Sequence, residues 1–133
     1  MTLREVLHAH IPVLYTDSTV RDAVDKMDVY QFPALVVVDQ DHAPIAVLTE
    51  GDLVRAVAHR DSVISMANEP ALAYATKEPV TVTPDTDIGE AFHQMRNSGL
   101  TVLPVVEDGR LSGMVLRVDL MQALLLDVAQ STG

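Results

Sequence analysis

No cysteine occurs in this chain of 133 residues. That absence removes disulfides, thiol catalysis and thiolate metal sites together, and it fits a reducing cytoplasm. Long apolar runs are missing as well. The stretches "ALVVVD" and "ALLLDVA" fall far short of the roughly 20 residues that cross about 30 Å of hydrocarbon. The N-terminal "MTLREVLHAH" lacks the charged-then-apolar order of a signal peptide. A soluble, cytoplasmic protein with no membrane partner is therefore expected.

Basic residues are scarce, nine against nineteen acidic ones, for a formal charge of −10. Such a surface repels nucleic acid, and no basic stripe offsets it: Lys26 and Lys77 stand apart and the arginines are scattered. A small anionic ligand stays compatible with this balance, because a few arginines gathered by a fold can make a local positive pocket. Catalytic signatures are also lacking. There is no nucleophile elbow, no glycine-rich phosphate loop and no zinc-protease helix, and the acidic clusters "DQD" and "ED" read as solvated hairpin turns. His8 and His10 could meet a metal from one face of an extended segment, but without a third ligand they define no site. The expectation is a non-enzyme with no metal and no prosthetic group.

What the chain does contain is one phrase written twice. "VLTEGDLVRAV" at residues 47–57 returns as "MVLRVDLMQAL" at 114–124. With 48% apolar residues the chain can bury a core without staples. Asp85 aligns over Asp17 and Asp119 over Asp52, with one residue lost between them where "DQDHAP" shortens to "EDGRL", as a turn tolerates. Val20, Ala23, Val24 and Met27 match Ile88, Ala91, Phe92 and Met95 at helical spacing. Thr19 with Asp22 and Asp87 with Glu90 have the separation of reciprocal N-caps, and Gly99 suits a left-handed helix stop.

Two β-branched strands follow in each copy, "ALVVVD" with "IAVLT" and "VLPVVE" with "SGMVLR", then a closing helix, "GDLVRAVAH" or "VDLMQALLLDVA". Short extended pieces, "PVLYT" and "VTVTP", open the copies, each after a small helical lead-in, "TLREVL" or "ALAYA". The order strand, helix, strand, strand, helix is thus repeated. One such unit cannot bury its apolar sheet face alone, so two should pack sheet to sheet.

At "LTEGDLV" a strand ends and a helix begins, which puts oxygen-bearing side chains at the mouth of the gap between them. A carboxylate fixed there accepts hydrogen bonds from a ribose diol, which makes Asp52 and Asp119 candidate ligands. Thr49 can add a hydroxyl toward ribose or phosphate, and helix-start N–H groups add partial positive charge. Arg55, one turn after Asp52, and Arg117 are candidate phosphate partners. The plainer account is that both aspartates cap helices, a role that stabilises by about 1 kcal/mol and explains both copies. On that account the arginines are solvated or ion-paired.

The pattern resembles the CBS domain family, whose domains occur in tandem as a Bateman module. The residues that carry the resemblance are "TKEPVTVTPDTDIGEAFHQMRNSGLTVLPVVEDGRLSGMVLRVDL", and "YTDSTVRDAVDKM" followed by "IAVLTEGDLVRAV". It implies an α+β fold of two β-α-β-β-α repeats related by a pseudo-twofold axis: repeat 1 at 1–59, a connecting segment with a lead-in helix at 60–76, and repeat 2 at 77–133. It further implies regulatory binding of an adenosine nucleotide (AMP, ADP, ATP or S-adenosylmethionine) in the cleft between repeats, as in energy sensing. The family's Thr or Ser followed three residues later by Asp is matched in full by Thr49 and Asp52. In the second copy Asp119 matches, but Leu116 stands where the hydroxyl belongs. The base slot implied by the resemblance falls on Val13, Tyr15, Thr81, Thr83 and Leu100 to Pro104. A stand-alone module that pairs as a homodimer and modulates an unidentified client protein is expected; the alternative is a ligand-free dimerisation module.

Overall fold

A computed structural model describes the chain apart from Asp61 and Gly133, and of residues 127–132 it describes the backbone alone. The chain divides into two compact units, residues 12–79, and residues 1–11 together with 80–133.

In the unit of residues 12–79, the strands are β1 (Val13–Leu14), β2 (Ala34–Val38), β3 (Pro44–Thr49) and β4 (Thr76–Lys77), in the order β1-β2-β3-β4. β1 runs parallel to β2, and the other two pairings are antiparallel. β2 is buried along its whole length, as its unbroken apolar run requires. Helix α1 (Val20–Tyr30) starts with a reciprocal cap: the Asp22 amide donates to the Thr19 hydroxyl, and the Thr19 amide donates to the Asp22 carboxylate. The bonds from Thr19 hold the Asp22 carboxyl below the usual carboxylate range. α1 and α2 (Glu50–Val57) pack over the sheet around Val20, Ala23, Met27, Leu35, Leu48 and Leu53.

In the other unit, β5 (Val102–Glu107) and β6 (Arg110–Leu116) form a hairpin that packs with α3 (Ile88–Ser98) and α4 (Arg117–Thr132). Asp108 and Gly109 both carry left-handed φ, 55° and 77°, the geometry a two-residue hairpin turn needs. The corresponding turn of the first copy is longer and is held by Asp39 Oδ1, which accepts from the Asp41 and Ala43 amides, both at 2.9 Å. The one-residue slip between the copies thus falls between strands.

Several elements differ from the sequence expectation. "VTVTP" forms a single parallel bridge, Val82 to Val105, with Thr81 and Thr83 exposed on either side of it. Asp87 accepts from the Gly89 amide instead of entering a reciprocal cap with Glu90. The start of α3 lies against the N-terminal segment, whose Met1 carbonyl takes the Ile88 amide. Gly99 ends α3 with φ 74° as expected, whereas Gln31 does so for α1 with φ 57°.

The lead-ins also pack apart from their own repeats. Leu3, on the 3-10 turn Leu3–Glu5, is fully buried with Val82, Ile88, Leu103 and Leu120 of the second copy. Ala71 and Ala75, at the turn Ala71–Tyr74, join the core of the first. The register is the same both times: His8 bridges Met114 on β6, and Thr76 pairs with Val47 on β3. Arg60, Glu69 and Tyr74 tie the connecting segment down. The Tyr74 hydroxyl donates to Glu69, which lowers the Glu69 carboxyl and raises the tyrosine, and Arg60 donates to both at 2.8 and 3.0 Å.

Gly113 is what lets the N-terminal segment lie so close. A Cβ there would stand 2.5 Å from the His8 carbonyl oxygen and 2.6 Å from a Leu7 methyl. Gly113→Ala is expected to lower the unfolding free energy by about 1–3 kcal/mol, the usual cost of overpacking. Urea melts would measure this, with faster amide exchange at His8 and Met114. A change within about 0.5 kcal/mol, the range of an inert surface substitution, would show that the segment does not sit there.

Candidate functional site

β3 delivers Thr49 in extended conformation, φ −107° and ψ 161°, at the moment the chain turns into α2. The Pro33 carbonyl takes the Glu50 amide at 2.9 Å and fixes the angle of entry. The Thr49 hydroxyl accepts the Asp52 amide at 3.0 Å, and Asp52 Oδ2 accepts the Thr49 amide at 2.9 Å. The capping account of these two residues is therefore correct. It does not exhaust them: the hydroxyl keeps its own proton to donate, and each carboxylate oxygen has a second lone pair.

Asp52 Oδ1 accepts from Arg55 Nη2 at 2.6 Å. The acid is largely buried, its side chain 10% exposed, while the arginine is 72% exposed and can swing away. Gly51 eases this fold-back, since a Cβ there would lie 3.1 Å from Arg55 Nη1, a tight contact that a small shift of the arginine would relieve. Thr49, Asp52 and Arg55 are thus brought together. Val13 and Tyr15 belong to the same unit but to the opposite side of β2 from β3. Val13 is buried, and its carbonyl accepts from Lys26 Nζ at 2.7 Å. Tyr15 is 51% exposed, and the Lys26 ammonium stands 5.8 Å from its ring centre.

The second phrase is built on the same frame with other occupants. Arg117 begins α4 with its amide on the Thr101 carbonyl at 2.9 Å and its side chain in solvent. Asp119 Oδ2 accepts the Leu116 amide at 3.1 Å, so the acid keeps its hold on the strand end although the capping hydroxyl is gone. The same oxygen meets His8 Nε2 at 2.8 Å. Of the other candidates in this unit, Pro104 is buried in β5 opposite Met114, Leu100 is half-buried against the core, and Thr81 is exposed. The exposed Thr83 bonds its amide and hydroxyl to the Thr86 hydroxyl.

Two residues escaped the sequence reading. Gly51 had only its small size to announce it. His8 was visible only as half of a weak metal pair, and the structure gives it a carboxylate more than a hundred residues away in the chain. Among the described residues no group of three or more His, Cys, Asp or Glu side chains is placed to hold a metal. Among them, too, no helix is long and apolar enough to cross a membrane.

A duplicated β-α-β-β-α unit with an acid-capped second helix defines a CBS pair. The family model for the CBS domain matches residues 3–59 and 71–126, and the chain belongs to that family. It is 31% identical over 122 residues to an uncharacterised 17.7 kDa protein of Acidianus ambivalens, covering 91% of this chain and 71% of that one. It is 24% identical over 127 residues to an uncharacterised protein of Methanocaldococcus jannaschii, of which it spans 44% against 96% of its own length. Among solved structures it resembles CBSX2 of Arabidopsis thaliana, determined in complex with AMP, with TM-score 0.81 and 22% identity over 94% of this chain and 96% of that one. At that identity the likeness is one of fold.

The cap makes its own prediction. Thr49→Ala should lower stability by about 1 kcal/mol in chemical denaturation, while Thr49→Ser should keep nearly all of it. Equal stability of the two variants would mean that the hydroxyl is not capping α2.

Proposed function

We propose that this CBS pair is a regulatory module that binds an adenosine nucleotide (AMP, ADP or ATP) or the nucleoside derivative S-adenosylmethionine, that its ligand position is the β3–α2 junction of the first repeat, and that it is not itself an enzyme. The observation that carries this reading is the Thr49–Asp52 cap with Arg55 folded onto it. The cap holds the carboxylate in place before any ligand arrives, which removes the ordering cost of a sugar-binding acid. A ribose diol would donate to the spare lone pairs of Asp52, the Thr49 proton would go to a sugar or phosphate oxygen, and Arg55 would turn from Asp52 to the phosphate. Arg55, 72% exposed, can leave the largely buried Asp52 once the ribose hydroxyls satisfy the carboxylate in its place. The AMP complex of a protein with this fold supports the choice of ligand class. Regulation follows if the nucleotide prefers one arrangement of the module, because a ligand shifts an equilibrium only by its differential affinity. The lack of cysteine fits a reducing cytoplasm.

A second reading concerns self-association. α1 and α2 flank a groove of about 490 Å³ whose lining includes Val24, Met27, Phe32, Pro33, Leu53 and Val54. Val54 is 69% exposed and Val24 38%. Apolar side chains gathered on one face of a helix pair suit a second copy of this chain, and we propose a homodimer through it, with or without ligand.

Melting curves with millimolar AMP, ADP, ATP or S-adenosylmethionine test the first reading. Ligand at a hundred times its dissociation constant adds about 2.7 kcal/mol. Asp52→Asn and Thr49→Val are expected to abolish the shift, whereas Arg55→Met should lower the affinity for AMP relative to that for adenosine. If none of the four ligands moves the midpoint, the nucleotide reading is wrong. For the second reading, light scattering should give twice the chain mass for the wild type and the chain mass for Val54→Asp. An unchanged mass in the variant would exclude this face.

A further inference from the structure

We infer that His8 closes the second repeat to nucleotides, so that the chain offers one nucleotide position where its duplicated phrase would offer two. This rests on the reading of the first repeat given above and adds to it a residue that decides which copy is used.

The two phrases hold their acids in the same way, each accepting the amide of the strand-end residue three positions earlier. They differ in what else the acid meets. Asp52 meets Arg55 from its own helix, through a flexible and exposed side chain. Asp119 meets His8, which comes from a segment locked by its backbone: the His8 amide donates to the Met114 carbonyl at 2.9 Å, and the Met114 amide donates to the His8 carbonyl at 3.0 Å. Leu3 buried upstream and the close approach over Gly113 hold that segment against β6.

The imidazole therefore stands on the carboxylate oxygen that a sugar would have to reach, its Nε2 2.8 Å away. Displacing Arg55 takes one side-chain rotation, after which the guanidinium is rehydrated or finds a phosphate. The His8 side chain is less exposed than that of Arg55, 40% against 72%, and it hangs from an anchored backbone; no hydroxyl compensates for its loss, because residue 116 is leucine. The first-repeat counterpart of His8 in the ladder is Thr76, an exposed residue whose partner is Val47. The asymmetry thus lies in one lead-in side chain and one strand-end side chain, and both changes act in the same direction.

Calorimetric titration with AMP counts the positions. The wild type is expected to bind one AMP per chain, and the double variant His8→Ala with Leu116→Thr two. Adding Thr49→Val should take the wild type to none and the double variant to one. His8→Val with Leu116→Thr serves if the alanine version does not fold, since a β-branched residue suits the extended pairing with Met114.

The two ideas fail separately. No binding by the wild type or by Leu116→Thr alone but one AMP on the double variant would overturn the first-repeat reading and sustain the role of His8. One AMP on both proteins would overturn the role of His8 and leave the first reading intact. Two on the wild type would overturn it as well, and none on either protein would overturn both.

Discussion

A carboxylate three residues into a helix, accepting the amide of the strand residue that precedes the helix, is the interaction on which both repeats turn. It satisfies a donor that the last strand residue cannot place in the sheet and the helix cannot use, and it sets the angle at which α2 leaves β3 and α4 leaves β6. With that angle fixed, Leu53 and Leu120 reach their cores. The hydroxyl at Thr49 strengthens the cap in one copy, and its replacement by Leu116 shows that the acid–amide bond is the part the fold keeps.

The exchange of lead-in segments has a plain energetic reason. A hairpin with two helices exposes an unpaired sheet edge and an open side of its core, and roughly 45 residues bury too little apolar surface to stand alone. The segment before each repeat completes the other copy instead, adding a strand-like pairing at Met114 or Val47 and plugging the core with Leu3 or Ala71. Each compact unit therefore contains residues from beyond its own repeat, and the compact units cut the chain differently from the repeat boundaries. Gly113 is the cost of that exchange in the second copy, where the first copy has room for Ala46.

Much of this was legible because it is local. The spacing of Val20, Ala23 and Met27 placed α1, the pair Thr19 and Asp22 gave its reciprocal cap, and the shortened turn explained the slip between the copies. Asp87 with Glu90 had the same spacing, but the Asp87 carboxylate takes the Gly89 amide, two residues on, and the reciprocal cap does not form. His8 was hidden for a different reason. A histidine in a short extended segment carries no signal of its partner when the partner, Asp119, is brought to it only by the lead-in exchange. The Thr49–Asp52 pair was legible as a constellation, yet its bonds to each other and to Arg55 came from the structure.

A module with a formal charge of −10 is an unpromising receptor for an anion until the local balance is considered. At physiological salt, charges beyond about 8 Å are largely screened, so the diffuse acidity of the surface matters less than the groups at the β3–α2 junction. There Arg55 neutralises Asp52, the exposed Glu50 at the start of α2 adds a negative charge, and the helix start contributes partial positive charge against it. On the proposed reading a nucleotide replaces one ion pair by another, Arg55 with phosphate, while its sugar takes over the lone pairs that Arg55 vacates. Such an exchange gains little net Coulomb energy. The affinity must then come from the base and the sugar, and phosphate number should alter it only modestly unless a second cation is supplied from outside this junction.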